Sequence, residues 1–390
     1  IITKEYKEAS LDISRQKGLY KEGVRTYSSA DVLPPPCQVL TNGRYSVLLN
    51  NRGGGFSKLD GILINRWNSD ALEGSYGNYI FIRDVKKDKI WSAAWEPFNE
   101  EADGYKVNFY QSRGEFTRIN DNIKTTMEVF VSPEDDIEIR RVKIENHSKE
   151  SVTLELTSYF EVVLTTEAAD MAHRAFSNLF VRTEYLEEYN SITAVRKPRE
   201  GHGQEWWAFH SSLAQGDTIG AIEYETSRAN FIGRGRNIRN PIGLWSPLSN
   251  TSGVVLDPIM SIRRTIRIKA GGHGEISYIT GCGKSKEEIR QMIVKYSEIS
   301  SIDRAFALAI TRSQVEGAYM NLEIKDIIAC EKLISHLIYG SPTRTKNKEY
   351  IIRNKKGQSS LWAFGISGDL PIMTVTIADE RDIPIFKQAV

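Results

Sequence analysis

The chain has 390 residues, 40% hydrophobic and 26% charged, the composition of a soluble globular protein with room for two packed units. Its 51 basic and 50 acidic side chains leave a formal charge of +1, so no field over the whole molecule favours nucleic acid or an anionic membrane. No apolar run approaches the roughly 20 residues that span a bilayer, and Cys37, Cys282 and Cys330 lack the paired spacing of a zinc or redox site.

The three cysteines read as buried thiols of a reducing, cytoplasmic compartment. The first residues, "IITKEYKEAS", have neither an initiator methionine nor the basic-then-apolar layout of a signal peptide, and "ERDIPIFKQAV" stops without a cap or polar tail. Both ends read as cuts in a longer polypeptide, with residues 1–30 as a leader segment.

From Gln38 to Ile279 the dominant pattern is alternation, rich in β-branched and aromatic residues and bounded by Gly, Asn, Asp and Pro. "GRYSVLLN", "NYIFIRDV", "YKVNFYQ", "IKTTMEVFV", "NLFVRTEYL" and "SIRRTIRIKA" predict strands joined by short polar turns, with no intervening helices. "IEIRRVKIENHSKESVTLELTSYFEV" predicts two long antiparallel strands around "NHSKES". So many consecutive strands define a mainly β chain built as a sandwich.

After Gly283 the period changes. Ser285 stands three residues before Glu288, a capping box that opens "SKEEIRQMIVKYSE", and helical spacing continues through "SIDRAFALAITRSQVEGAYMNL" and "KDIIACEKLISHLIYG" to a C-cap at Gly340. The basic, polar stretch from Thr343 to Lys356 predicts an exposed loop.

Two glycine-rich loops invite a functional reading. In "NNRGGGFSKLDG", Gly53, Gly54 and Gly55 remove three successive Cβ atoms, which suits either a wide hairpin tip or bulge, or a backbone brought close to a ligand. It lacks the spacing and the following lysine of a nucleotide loop. Phe56 follows directly. Trp67, Tyr76, Tyr79, Trp91 and Trp95 offer flat faces for sugar rings, with Arg66, Asn68 and Asp70 for hydroxyls, although strand aromatics equally fill a sandwich core. The second loop, "SLWAFGISGDLPI", carries Trp362, Ser367 and Asp369; its aspartate suits capping a following helix, binding a hydroxyl or orienting Ser367.

Other clusters are weaker. The six histidines share no helix face at metal-ligand spacing, which predicts no metal site. Asp170, His173 and Ser177 lie close in "AADMAHRAFSNLFV" without a nucleophile elbow. Glu134, Asp135 and Asp136 form an acidic turn rather than an acid and base pair.

Taken in order, "LTNGRYSVLLNNRGGGFSKLDGILINRW", "YGNYIFIRDV", "VSPEDDIEIRRVKIEN", "AHRAFSNLFV", "FIGRGRNIRNP", "PLSNTSGVVLDPIMSIRRTIRI" and "LWAFGISGDLPI" resemble cyclic β-1,2-glucan synthases and 1,2-β-oligoglucan phosphorylases, of the cellobiose and chitobiose phosphorylase superfamily. The resemblance implies a β-supersandwich over residues 31–283, a helical linker over 284–340 and the start of an α/α-toroid from 341. It implies chemistry at β-glucosidic bonds, with inorganic phosphate as co-substrate in the phosphorylases and an aspartic acid protonating the leaving oxygen. No position here matches that general acid, which is expected beyond Val390. The implied partners are a β-glucan oligosaccharide, the remainder of the parent polypeptide and a second copy of the chain. Neither a cofactor nor a membrane contact by this segment is expected, although a synthase parent would be associated with the inner membrane. "GISGDLPI" is then a fixed turn leading into helices, and the glycine loop with Arg66 and Trp67 is expected to be the sandwich's contribution to a sugar site or to a neighbouring subunit's. The competing reading is a sugar-binding or purely structural module.

Overall fold

The computed structural model describes residues 22–382, except 73, 199–202, 321–322, 340–346, 370–371 and 373–376. Its first strands are β1 (Val24–Tyr27), β2 (Cys37–Thr41), β3 (Tyr45–Asn50), β4 (Gly55–Leu59), β5 (Ile62–Asn65) and β6 (Tyr79–Asp84). There follow β7 (Lys89–Ser92), β8 (Gly104–Tyr110), β9 (Gly114–Asn120), β10 (Ile123–Val131), β11 (Ile137–Asn146) and β12 (Val152–Thr165). The last are β13 (Val181–Leu186), β14 (Ser191–Arg196), β15 (Trp206–Gln215), β16 (Asp217–Ser227), β17 (Pro258–Ile268) and β18 (His273–Gly283).

They form two nine-stranded antiparallel sheets. One runs β1-β8-β9-β10-β11-β18-β15-β14-β13; the other runs β16-β17-β12-β5-β4-β3-β2, with β6 and β7 joined to it through β12. Period-two alternation explains how they face each other. Along β11, Val142 and Ile144 point into the shared interior, whereas Ile137 and Ile139 point to the outer face. The inward set also carries Glu138 and Arg140, a buried ion pair at 2.9 Å between the sheets. Glu138 is held there by Asn78 Nδ2 at 3.1 Å and by the Ser57 hydroxyl.

Three expectations are corrected here. The strands flanking "NHSKES" do not pair: β11 lies between β10 and β18, and β12 pairs with β17, β6 and β5. The turn crosses from one sheet to the other, pinned by Asn146, whose Nδ2 donates to Glu150 O at 2.8 Å and to Ile268 O at 3.2 Å. Alternation specifies which side chains face inward but not which strand lies alongside. Secondly, short helices α1 (Glu167–Ala172), α2 (Arg174–Asn178) and α3 (Arg228–Ile232) interrupt the strands. Thr166 and Ser227 cap α1 and α3. Thirdly, β1 lies ahead of residue 31 and pairs in register with β8, Val24 opposite Tyr110.

Helices α4 (Lys286–Lys295), α5 (Ile299–Tyr319) and α6 (Ile324–Ile338) follow the sandwich. Ser285 Oγ accepts from Glu288 N at 3.1 Å, and Glu288 Oε2 reaches back to Lys284 N at 2.7 Å, one residue further than a standard capping box. Ile289, Met292, Ile293, Tyr296, Ile302 and Ala305 of α4–α5 cover Phe130, Ile137, Ile139, Phe209 and Ile279 on the outer face of the first sheet. Helix α6 lies on the other sheet, where Ile334, Ile338 and Tyr339 pack on Cys37, Leu48 and Trp67. The expected cap at Gly340 lies outside the described residues. Where the basic stretch predicts only loop, residues Lys348–Arg353 form an exposed helix.

Candidate functional site

The glycine loop is a tight turn between β3 and β4. Asn50 Oδ1 accepts from Arg52 N at 2.9 Å and from Gly54 N at 3.0 Å, so one side chain closes it. A Cβ on Gly54 would run into the Glu96 carboxylate, and one on Gly55, whose φ is +154°, into the Leu48 carbonyl. The space left by the missing side chains is thus filled from within the chain. Glu96 enters between Gly54 and Gly74, with Arg52 Nε 3.4 Å from Oε1. Burial pushes the Glu96 carboxyl up to about 7, against the opposing charges of Arg52 and Arg239.

Phe56 and Trp67 pack at a tilt of 59° beside this turn, ring centres 5.2 Å apart, and Trp67 meets Tyr339 at 6.0 Å. Tyr339, just after α6, accepts a hydrogen bond from Asn50 Nδ2 at 3.0 Å. Trp67 is 8% exposed. Tyr79, Trp91 and Trp95 are buried too, and Tyr76 receives Arg174 Nη1 at 2.8 Å on its hydroxyl.

Arg66 points away from this group into a closed charge network. Its Nε and Nη2 bind both oxygens of Asp170 at 2.9 and 2.8 Å, Nη2 also reaches Asn178 at 2.9 Å, and Nη1 binds Glu161. Arg228 Nε completes Glu161 at 2.7 Å. Although burial pulls the Arg66 pKa down, the hydrogen bonds to Asp170 and the charges of Glu161 and Asp170 outweigh it and raise it. Four of the five guanidinium N–H groups are used in these bonds.

Asp170, His173 and Ser177 do not assemble as a triad, because Asp170 is held by Arg66 and Ser177 Oγ accepts from Arg196 Nη2 at 2.8 Å. The acidic turn is neutralised: Lys295 binds Asp135 at 2.6 Å, Arg304 binds Glu134 at 2.7 Å and Arg44 binds Asp136 at 3.0 Å. No group of metal-ligating side chains is found among the described residues.

The second glycine loop folds on itself. Gln358 Nε2 donates to Ser367 O at 3.0 Å and to Asp369 Oδ1 at 2.8 Å, and Trp362 Nε1 donates to Ser367 O at 3.3 Å. Trp362, 66% exposed, and Asp369 both face outward. The structure therefore brings Gly53, Gly54, Gly55, Phe56 and Trp67 together, sends Arg66 elsewhere, and keeps Trp362, Ser367 and Asp369 as a separate local cluster. The charge network and Glu96 escaped the sequence reading. A lone signal existed in "AADMAHRAF", where the acid Asp170 lies on a short helix that buries it.

Two facing antiparallel sheets, helices packed on their outer faces and a self-filled glycine turn define a supersandwich module. Residues 21–299 match the supersandwich domain of glycosyl hydrolase 94, and the chain belongs to that family. It is 31% identical over 353 residues to the cyclic beta-(1,2)-glucan synthase NdvB of Rhizobium meliloti (strain 1021), a match covering 90% of this chain and 12% of that protein. The N,N'-diacetylchitobiose phosphorylase of Vibrio furnissii is 25% identical over 71% of this chain and 34% of its own length. The solabiose phosphorylase of Paenibacillus borealis is 24% identical over 62% of this chain and 30% of its own. The chain is thus a segment of a glycosyl hydrolase 94 carbohydrate-active enzyme and spans at most about a third of these relatives. No helix among the described residues is long and apolar enough to cross a membrane.

Proposed function

We propose that the chain serves a cytoplasmic enzyme of β-1,2-glucan metabolism, either a cyclic-glucan synthase or an inverting phosphorylase of β-glucosides, and supports and binds glucan without cleaving it. The observation that carries this reading is the likeness to the glucan synthase along 90% of the chain. Its partners are a β-glucan oligosaccharide, the remainder of the parent polypeptide and a second copy of itself. Inorganic phosphate is the co-substrate if the parent is a phosphorylase.

Phosphorolysis with inversion needs a general acid against the glycosidic oxygen and phosphate on the opposite face. Of the buried carboxylates among the described residues, Glu161 and Asp170 are bound to Arg66, Glu138 to Arg140, Glu128 to Arg141 and Asp136 to Arg44; Asp84 and Glu225 accept from backbone N–H groups, and Glu96 fills the glycine turn between Gly54 and Gly74. Asp369 is exposed, and its Oδ1 accepts from Gln358 Nε2 at 2.8 Å. The resemblance to the phosphorylases implies that the general acid stands beyond Val390.

Incubating the purified chain with β-1,2-glucan and phosphate is expected to release no glucose 1-phosphate above background. A clear signal abolished by Asp369→Asn would overturn the non-catalytic reading. Titration calorimetry with β-1,2-gluco-oligosaccharides is expected to show binding that Gly54→Val removes. Calorimetric silence would favour a scaffold role instead, a second reading motivated by the way Glu96 and Tyr339 already fill and brace the glycine turn.

A further inference from the structure

A cleft of about 430 Å³ opens between α1–α2 and strands β14–β15, within the range that holds small ligands, and shares no lining residue with the glycine loop. Ile62 and Leu164 form an apolar base, with Phe176, Phe180 and Trp206 beside it. Phe176 is 47% exposed although it packs edge-to-face on Phe180 with centres 5.3 Å apart. Flat rings beside an apolar base are the surfaces on which the carbon face of a sugar lies, and Gln204 also lines the cleft.

The charge of the cleft is one-sided. Arg196, Lys197 and His173 line it, and among the described residues no carboxylate does. Arg196 donates to Ser177 O at 2.9 Å, Ser177 Oγ at 2.8 Å and Val163 O at 3.2 Å, all neutral acceptors. Burial pulls its pKa down, and the opposing charge of Asp170 only partly offsets this, because Asp170 is shared with Arg66. Among the described residues no salt bridge reaches Arg196 or Lys197. A half-buried guanidinium whose hydrogen bonds all go to neutral oxygens is an electrostatic deficit that an anion removes, and Arg and Lys side chains are suited to phosphate or carboxylate oxygens.

We propose that this cleft binds a saccharide bearing an anionic group, with the sugar ring against Phe176 and Trp206 and the anion against Arg196 and Lys197. The inference rests on the reading of the chain as a handler of glucans, and it adds a second site with its own ligand chemistry. A free hexose phosphate and a glucan carrying a phosphate substituent present the same chemistry.

The test is calorimetry on the full chain, with tryptophan fluorescence reporting on Trp206, using glucose 6-phosphate, inorganic phosphate, sophorose and a mono-phosphorylated β-1,2-glucotriose. Glucose 6-phosphate is expected to bind at least about tenfold more tightly than phosphate or sophorose alone. Lys197→Glu and Phe176→Ala, both at exposed positions, are each expected to weaken it about tenfold or more with the unfolding midpoint unchanged. Tighter binding of the phosphorylated glucotriose than of glucose 6-phosphate supports a substituted glucan as the source; equal binding supports the free phosphosugar. The proposal is overturned if none of the anionic sugars binds, if sophorose or phosphate binds as well as glucose 6-phosphate, or if both substitutions leave its affinity intact. Binding of neutral oligosaccharide that Gly54→Val removes and Lys197→Glu spares belongs to the glycine loop, so the two readings fail separately.

Discussion

Arg66 and Arg196 are both neighbours of the carboxylate of Asp170, yet they live in opposite electrostatic regimes. Arg66 is buried with two carboxylates arranged around its fork, and Arg228 balances the second negative charge. Arg196 is half-buried, donates its hydrogen bonds to carbonyl and hydroxyl oxygens and lies over the Phe180 ring at 5.7 Å. A buried cation surrounded by anions is part of the architecture, because its removal strands the anions. A cation supported by neutral dipoles keeps its position and also its appetite for a counter-charge. In this molecule Arg66, which the sequence offers as a sugar-site residue, is the first kind, and the second kind lines the open cleft.

The contrast can be broken most directly at Arg66. Arg66→Met leaves Glu161 and Asp170 buried with reduced compensation, and a loss of about 3–5 kcal/mol in urea unfolding is expected. A loss below about 1 kcal/mol would place Arg66 with Arg196 as a charge that the fold does not need. Next in size is Glu96, the carboxyl that fills the glycine turn. Its pKa is raised from 4.5 to about 7 by burial, so between those values the native state holds a proton that the unfolded chain has released. Its contribution is fully present below the unfolded pKa and fades as the pH rises through the folded one. Unfolding titrations across that window are expected to show a decline of up to about 3 kcal/mol that Glu96→Gln abolishes. A pH profile unchanged by the substitution would mean that Glu96 is ionised in the fold. The smallest effect is expected at Arg196. Arg196→Met removes hydrogen bonds to neutral groups, so about 1 kcal/mol is expected from the same denaturation measurement. A value near that of Arg66→Met would erase the distinction between them.

What was legible in the sequence follows the range of the interaction. Alternation in "IEIRRVKIEN" gives β11 and its two faces, and Ser285 with Glu288 gives the start of α4, because each signal is contained within about ten residues. Strand partnership was not legible: β11 and β12 are adjacent in sequence and belong to different sheets. Glu161 and Asp170 stand 95 and 104 residues from Arg66, and nothing local in "LINRW" announces them. The aromatic residues around Trp67 have the composition of a sugar platform and of a core alike; burial against Ile334 and Ile338 of a helix more than 250 residues away, and against Tyr339 at its end, decides between them. The cleft was invisible for the same reason, since its walls come from separated stretches including Ile62, Leu164, Phe176 and Trp206.

The position of β18 has a consequence for biosynthesis. This strand is the last of the eighteen to be made, yet it lies in the middle of its sheet, between β11 and β15. Its register runs from His273 opposite Glu145 to Gly283 opposite Trp207. Until it leaves the ribosome, the sheet exists as two pieces, each presenting an unpaired edge at its centre, and such edges invite pairing with other chains. Closure on the β11 side then joins residues more than a hundred positions apart, which makes it slow relative to the hairpins that form beforehand. The nascent chain is therefore most in need of a chaperone just before its final strand appears, and translation arrested upstream of residue 273 would leave a product that cannot close its own sheet.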